Sequence, residues 1–373
     1  MSLSPWNHVW MLLLALASVD ARAAGNELRV AEQYGFSYLQ LTYMQKHHLI
    51  EDQAKAAGLP DVKVTWSQFA AGNVMNDALL SGSLDIASGG LAPPIILWDK
   101  TRGGLDVRMI AAMVTAPLYL NTTNPRIHSL RDFTSSDRIA LPAVKVSNQA
   151  TILAMAAAQQ LGKDKADSLN PLTVAMSHPD GVAALRNGVV DAHFTAPPFQ
   201  QIELADPHVH RVLSSYDVMK GPLTFTVLWT TSRFRNGNPK LYAAFLDALD
   251  EATRMINADK RAAARLYVTA ANSREPVDDV YRMVSDPEVE FTLTPRQIGN
   301  YAQFMYDDGL IRNRPADLSA GSGNGRTPRN TPGSIATVAA ARPRPASISA
   351  SRPPVECPMS AGFRSRALTI SVV

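Results

Sequence analysis

Five short turns carry the residues best suited to binding chemistry. Each follows a predicted strand, and together they cover residues 34–37, 69–72, 88–90, 147–149 and 195–197. Their small side chains would let a ligand approach main-chain N–H groups. Predicted helices start at Ser37, Asn73 and Ser147, where the first N–H groups lack intrahelical acceptors and the helix dipole is positive. This chemistry suits an anionic group.

The residues of these turns form the candidate site, because ligands of open α/β sheets bind beyond the carboxyl ends of the strands. The candidates are Tyr34, Gly35, Phe36, Ser37, Phe69, Ala71, Gly72, Ser88, Gly89, Gly90, Ser147, Asn148, Thr195 and Pro197. The three aromatic candidates would cover an apolar part of the ligand or pack in the core. Ser37 and Ser147 would cap their helices, contact the ligand, or do both.

A motif that occurs twice organises the elements behind these turns. Ala-Leu-x-x-Gly-x-x-Asp spans residues 78–85 and again 184–191, and in both copies a short strand and Pro-Pro follow. Gly82 and Gly188 stand where a helix ends in a left-handed residue. We expect Asp85 and Asp191 to bond backbone at their turns rather than contact a ligand. Two copies predict two lobes of the same design.

Alternating strand and helix patterns with short connections predict parallel, doubly wound sheets. Apolar segments near 115–124 and 220–232 would carry the chain between lobes, and the pattern from 239 to 310 is helical. We therefore predict an α/β fold with two lobes and two hinge crossings. Lobe I would comprise 25–120 and 225–318, and lobe II 121–224.

The two ends of the chain differ from this body. Residues 1–24 contain a short apolar run and then Ala21-Arg22-Ala23, which is typical of a secretory signal peptide cleaved near Ala23, although no Lys or Arg precedes the run. Residues 319–373 are rich in Gly, Ser, Pro, Arg and Ala, and predict a disordered or aberrant tail.

Charge and cysteine content exclude several function classes. The tail carries seven Arg and one Glu, so subtracting its +6 from the whole-chain +3 leaves −3 for residues 1–318. The body thus has no basic excess for nucleic acid. The single cysteine, Cys357, cannot form an internal disulfide. His47-His48 and His208-Val209-His210 lack a third ligand at metal-site spacing, so we expect no metal and no cofactor.

An enzymatic function has weak support from the motifs. Ser88 lies in Ile86-Ala87-Ser88-Gly89-Gly90, which lacks the first glycine of a nucleophile elbow. Cys357 has no basic partner nearby in sequence. We predict a binding protein rather than an enzyme, with a periplasmic hydrolase as the rival.

The ordered set of motifs from Glu27 to Leu310 resembles the periplasmic solute-binding proteins of nitrate/sulfonate/taurine ABC importers. The resemblance lies in Phe69-x-x-Gly72, Gly82-x-x-Asp85-Ile86-Ala87 with Pro93, Ser147 at a helix start, and Gly188-Val189-Val190-Asp191-Ala192 with Pro197. It implies an exported, periplasmic monomer that closes two lobes on a small molecule and delivers it to an ABC permease and its ATPase. It implies no membrane insertion.

The ligand expected from this resemblance and the turn chemistry is a small organic anion, a sulfonate or a carboxylate. Nitrate is less favoured, because three aromatic candidates suggest an apolar part. Similar lobes occur in proteins that bind a pyrimidine precursor of thiamine, and such a ligand stays open as an alternative.

Overall fold

A computed structural model of the chain describes residues 27–59 and 61–315. The predicted signal peptide (1–24) and tail (319–373), with Cys357, lie outside the described residues. The helices of the described part include none that is both long and apolar enough to cross a membrane.

The described strands and helices alternate along most of the chain. The strands are β1 (Glu27–Glu32), β2 (Lys63–Gln68), β3 (Ile86–Gly89), β4 (Arg108–Thr115), β5 (Tyr119–Thr122), β6 (Ile139–Leu141), β7 (Thr173–Ala175), β8 (Ala192–Phe194), β9 (His210–Ser214), β10 (Thr224–Thr230) and β11 (Glu290–Phe291). The helices are α1 (Leu39–Lys46), α2 (Leu49–Ala56), α3 (Gly72–Ser81), α4 (Ala92–Thr101), α5 (Asn148–Gln160), α6 (His178–Arg186), α7 (Phe199–Leu204), α8 (Ser215–Met219), α9 (Ser232–Gly237), α10 (Pro239–Ala258), α11 (Lys260–Ala270), α12 (Val277–Val284) and α13 (Ile298–Asp307).

These strands form two sheets. The first has the order β2-β1-β3-β10-β4-β11, and the second β7-β6-β8-β5-β9. In the first sheet β1 is parallel to β2 and β3, while β10 runs antiparallel between β3 and β4. In the second, β6 is parallel to β7 and β8, and β5 runs antiparallel between β8 and β9. Each sheet thus has parallel strands interrupted by one inserted antiparallel strand, and the edge strand β11 of the first sheet is also antiparallel to its neighbour β4.

We call the first sheet with its connecting helices lobe I and the second lobe II. The chain passes from lobe I to lobe II at residues 116–118 and returns at 220–223, inside the two predicted crossings. The limits of the lobes given above, 25–120 with 225–318 and 121–224, remain a prediction.

The two aspartates of the repeated motif hold the same place in both lobes. Asp85 accepts a hydrogen bond from the main-chain N–H of Arg29 at 2.9 Å, and Asp191 accepts one from Arg138 at 2.8 Å. Each aspartate main-chain N–H donates back to the carbonyl of the same arginine. The prediction that both carboxylates bond backbone is therefore confirmed, and each fastens a motif to the neighbouring parallel strand.

The inserted antiparallel strands complete this equivalence. Thr230 of β10 donates its hydroxyl to the carbonyl of Asp85, and Thr122 of β5 donates to that of Asp191, both at 2.5 Å. The same set of hydrogen bonds therefore surrounds both copies of the motif, although the copies lie in different lobes.

The ends of the helices agree with most predictions. Gly82 and Gly188 have φ of 75° and 66°, the left-handed conformation expected after a helix. Ser147 caps α5, because its side chain accepts from Ala150 N. The predicted cap at Ser37 is wrong: Ser37 lies inside a single 3₁₀ turn (Phe36–Tyr38) that leads directly into α1, so its hydroxyl meets no free helix end.

The segment from 239 to 310 is not helical throughout. Glu290–Phe291 forms β11 and pairs with Thr115 and Val114 at the edge of lobe I. Two residues are too few for an alternating pattern to show in the sequence, because strand periodicity needs at least four residues.

A histidine–carboxylate pair lies in the interior of lobe II. Nδ1 of His193 is 2.5 Å from Oε1 of Glu203, and both side chains are fully buried. Asn121 donates to the other carboxylate oxygen at 2.9 Å. Removing Glu203 takes a hydrogen-bond partner away from both His193 and Asn121 in the interior.

The substitution Glu203→Ala should therefore lower the free energy of unfolding by about 3–5 kcal/mol, measured by urea denaturation. The control is Asp250→Ala, which removes the exposed ion pair with Arg254 and should cost less than about 1 kcal/mol. Similar losses for the two variants would contradict a stabilising role of the buried His193–Glu203 pair.

Candidate functional site

A cleft of about 330 Å³, including its opening to solvent, lies between the lobes. Lobe I lines it with Gln33, Tyr38, Gly72, Asn73, Gly90, Pro93 and Phe225, and lobe II with Pro142, Ala143, Val146, Ser147, Asn148, Gln149 and His178. Most of these residues lie just beyond the carboxyl ends of parallel strands, where a doubly wound fold places its ligands.

Three helices begin at the cleft. They are α3 at Gly72, α5 at Asn148 and α6 at His178, and each is nine residues or longer. The first N–H groups of a helix have no acceptor within the helix, and that end of the dipole is positive. In α5 the Ser147 hydroxyl occupies only the N–H of Ala150, which leaves those of Asn148 and Gln149 without an intrahelical partner.

The side chain of Asn148 is buried and unpartnered. The residue is 2% exposed, and neither its amide nitrogen nor its amide oxygen has a hydrogen-bond partner among the described residues. Burying a polar group without a partner costs free energy, so such groups are rare in folded proteins. Because Asn148 lines the cleft, a ligand is the natural partner for both atoms.

The lining carries no Lys, Arg, Asp or Glu side chain. Burial and, second, the charge of His193 hold the pKa of His178 well below its usual value, so this imidazole is neutral at neutral pH. The cleft therefore offers neutral donors and dipoles rather than a side-chain cation.

The carboxyl group of Glu32 lies close to the uncharged lining of the cleft. Burial raises the pKa of Glu32 to about 7, and its charge adds to the burial that raises the pKa of Tyr38, a lining residue. One carboxylate oxygen of Glu32 has no hydrogen-bond partner in the described part of the chain. A negative charge therefore forms near the lining residue Tyr38 as pH rises through about 7.

Four predicted site residues line the cleft: Gly72, Gly90, Ser147 and Asn148. The other ten do not, and they are Tyr34, Gly35, Phe36, Ser37, Phe69, Ala71, Ser88, Gly89, Thr195 and Pro197. Several of them support the lining instead. The hydroxyl of Thr195 is 3.0 Å from Nδ1 of His178, and Ala71 is the N-cap residue of α3. A Cβ added at Gly89 would lie 2.4 Å from Nε2 of Gln33.

The aromatic residues of the cleft are not the predicted ones. Phe36 is fully buried and packs edge-on against Tyr267 with ring centroids 6.1 Å apart, which is the core role considered for it. Tyr38 and Phe225 line the cleft in its place. Ser88 is also fully buried, and its hydroxyl donates to the carbonyl of Ala31 at 2.6 Å.

Sequence reasoning missed several lining residues: Gln33, Tyr38, Pro93, Pro142, Ala143, Val146, His178 and Phe225. Gln149, the last residue of the predicted turn 147–149, also lines the cleft. A signal existed for Gln33 and His178, which follow β1 and β7 closely and obey the same strand-end rule as the predicted turns. For Phe225 there was none, since it lies within the inserted strand β10.

Glycines allow the lobes to touch beside the cleft. A Cβ added at Gly90 in lobe I would lie 2.6 Å from Cβ of Asn148 in lobe II. One added at Gly35 would lie 2.6 Å from the carbonyl oxygen of Pro197. Gly90 has no left-handed φ, so a side chain there would act only through this contact.

Within residues 27–59 and 61–315, no group of three or more His, Cys, Asp or Glu is arranged to hold a metal ion.

The variant Gly90→Ala should hold the lobes apart, because the added methyl group cannot share space with Asn148. Distances would be measured by double electron–electron resonance between spin labels at Leu80 and Val189, two exposed positions in different lobes, after Cys357→Ser. The distance distribution should shift relative to the parent protein.

The matched control is Gly237→Ala, since a Cβ at Gly237 meets no atom within 4 Å. It should leave the distribution unchanged. An unchanged distribution in the Gly90 variant would show that the lobes do not depend on this contact.

A protein of Escherichia coli (strain K12) described as an aliphatic sulfonates-binding protein is 26% identical over 194 residues, which is 52% of this chain and 56% of that protein. The chain thus matches little more than half the length of this relative.

Solved structures are similar over more of the chain. An alkanesulfonate-binding protein from Xanthomonas axonopodis pv. citri, bound to MOPS, has a TM-score of 0.61 at 19% identity, covering 77% of this chain and 95% of that one. The periplasmic nitrate-binding protein from Synechocystis PCC 6803 has a TM-score of 0.61 at 14% identity, covering 79% and 83%.

These similarities confirm the predicted two-lobed α/β fold of periplasmic binding proteins and the resemblance to the nitrate and sulfonate class. The profile of the NMT1-like family matches residues 31–271, which include all of lobe II and most of lobe I. The chain belongs to the NMT1-like family.

Proposed function

We propose that this protein is the extracytoplasmic substrate-binding component of an ABC importer and closes its lobes on a small organic anion, a sulfonate or a carboxylate. The observation that carries the proposal is that three helices, from both lobes, begin at one cleft, which the unpartnered amide of Asn148 also lines. Helix N-termini bind anions through main-chain donors without any cationic side chain. Relatives that bind aliphatic sulfonates and nitrate support the ligand class.

Binding from both sides explains why closure and ligand affinity would be coupled. A ligand held by α3 of lobe I and by α5 and α6 of lobe II stabilises the closed arrangement over an open one. Tyr38 and Phe225 supply apolar surface for an organic portion, which favours a sulfonate or carboxylate over nitrate.

The partners proposed with this function are an ABC permease and its ATPase, which would receive the ligand from the closed form. The protein would act in the periplasm as a monomer after cleavage near Ala23. A hydrolase has little support, because the Ser88 hydroxyl is buried and already bonded.

A second candidate ligand is a pyrimidine such as a thiamine precursor. The amides of Gln33, Asn148 and Gln149 offer acceptors as well as donors, and a sulfonate or carboxylate group itself uses only the donors. A planar heterocycle bearing N–H groups could pair with both and lie against Tyr38 or Phe225. The two candidate ligands thus differ at Asn148: an anionic group uses only its amide N–H, whereas a pyrimidine uses both the N–H and the amide oxygen.

The test is a thermal-shift screen of alkanesulfonates, arylsulfonates, carboxylates and aminopyrimidines on the full chain. A ligand at 100 times its Kd adds about 2.7 kcal/mol of stability, which is several degrees of Tm. We expect sulfonates or carboxylates to give the largest shift, while a shift with aminopyrimidines alone would favour the second candidate. If no compound of any class raises Tm, the binding function is wrong.

The variant Asn148→Ala should weaken binding of the best ligand at least about tenfold, since it removes the buried amide that the ligand would satisfy. Affinity would be measured by isothermal titration calorimetry. The control is Asn236→Ala, an exposed site in α9 far along the chain from the cleft. Equal affinities for parent and Asn148 variant would place the ligand elsewhere.

Anion binding should also weaken as pH rises from 6 to 8, by about tenfold. The pKa of Glu32 is about 7, so a carboxylate forms beside the cleft in this range and repels the anion. Glu32→Gln should make the affinity independent of pH between 6 and 8. The control, Glu27→Gln, changes an exposed residue at the other end of β1 and should keep the parent profile.

The same substitution offers a readout without ligand. Because the folded-state pKa of Glu32 lies above the ordinary 4.5, the folded protein favours the neutral acid, and stability falls as pH rises from 4.5 through about 7. Glu32→Gln should remove that loss, measured by urea denaturation at pH 5 and pH 8. A variant that loses as much stability as the parent would contradict the assignment.

A further inference from the structure

The imidazole of His178 belongs to the lining of the cleft and is held in place by its neighbours. It is 5% exposed, lines the cleft at the start of α6, and stacks on Phe199 with ring centroids 5.6 Å apart and an interplanar angle of 23°. The stacking fixes the plane of the ring, so its two nitrogens point in defined directions.

Each ring nitrogen of His178 has one polar atom within hydrogen-bond distance. Nδ1 is 3.0 Å from the hydroxyl of Thr195, and Nε2 is 3.5 Å from Nε2 of Gln149, another lining residue. An amide nitrogen only donates, so this arrangement makes Nε2 of His178 the acceptor and Nδ1–H the donor to Thr195. A contact of 3.5 Å is at the limit of a hydrogen bond, so the lone pair of Nε2 remains open to a stronger donor.

The interior of lobe II keeps this imidazole neutral. The ring of His193 lies 5.7 Å from that of His178, with the carboxylate of Glu203 bonded to its far nitrogen. A Cβ at Gly181 would lie 2.4 Å from Nε2 of His193, so the absence of a side chain there admits the ring. Burial and the His193 charge lower the pKa of His178, which disfavours a second proton on it.

We infer that His178 is a specificity-determining residue whose Nε2 accepts a hydrogen bond from a donor group of the ligand. The inference rests on the proposed function and narrows the ligand class to a small anion that also carries an N–H or O–H donor. The unpartnered amide oxygen of Asn148 is a second acceptor in the same cleft. Helix N-termini would hold the anionic end, and these two acceptors the donor end.

The state of His178 is tested directly, without any ligand. Two-bond ¹H–¹⁵N correlation spectra of the full chain, with His178→Phe identifying the signal, report both tautomer and protonation. We expect a neutral ring with the proton on Nδ1 at pH 6.5 and at pH 8. A protonated ring at pH 6.5, or a proton on Nε2, would overturn the inference.

The ligand preference is tested with two anions of matched size and charge, 2-hydroxyethanesulfonate and propanesulfonate. The parent protein should bind the hydroxy compound at least about tenfold more tightly, because only that compound supplies a donor. His178→Phe keeps a ring on Phe199 but removes both nitrogens, and should reduce the preference to within about threefold. His208→Phe, at an exposed histidine, should preserve the parent preference.

The outcomes separate this inference from the proposed function. If both sulfonates bind the parent equally, or if the preference survives in His178→Phe, sulfonate binding stands and the role of His178 is wrong. If neither sulfonate binds, the proposed ligand class fails, and the tautomer and protonation state then decide the role of His178 by themselves.

Discussion

A helix that follows a parallel strand must begin near the carboxyl end of that strand. The cleft depends on this constraint. In this protein the constraint places the starts of α3, of lobe I, and of α5 and α6, of lobe II, at one cleft. The free N–H groups and dipoles of these helices supply positive potential without a charged side chain. The same edge carries Gly72 and Gly90, whose lack of a side chain keeps the main chain accessible.

The neutrality of the cleft has a physical consequence for selectivity. A lysine or arginine in a closed site would need desolvation and a counter-charge, whereas fixed dipoles are already oriented. The lining offers amide acceptors beside these donors, so it can form hydrogen bonds with donor groups as well as with negatively charged ones. Glu32 and His178 both favour their uncharged forms at this wall, because burial disfavours a charge on either group.

The duplicated lobes support the cleft from behind. At the edge of each sheet opposite the cleft, an aspartate fastens a short strand to its parallel neighbour, and a threonine of the inserted antiparallel strand bonds the aspartate's own carbonyl. These bonds fix the short strands β3 and β8 although each has only three or four residues. The turns that follow these strands at the cleft therefore rest on strands that are fastened at their opposite ends.

Local sequence determined strands β1 to β10, the helix stops at Gly82 and Gly188, and the cap at Ser147, because periodicity and capping act over a few residues. The strand-end rule also predicted Gly90 and Asn148 as binding residues. Only the tertiary structure decided that Tyr38 rather than Phe36 lines the cleft, since that depends on how a 3₁₀ turn rotates into α1. It alone brought His178, His193 and Glu203 together, because packing between separate elements leaves no periodic pattern in the sequence.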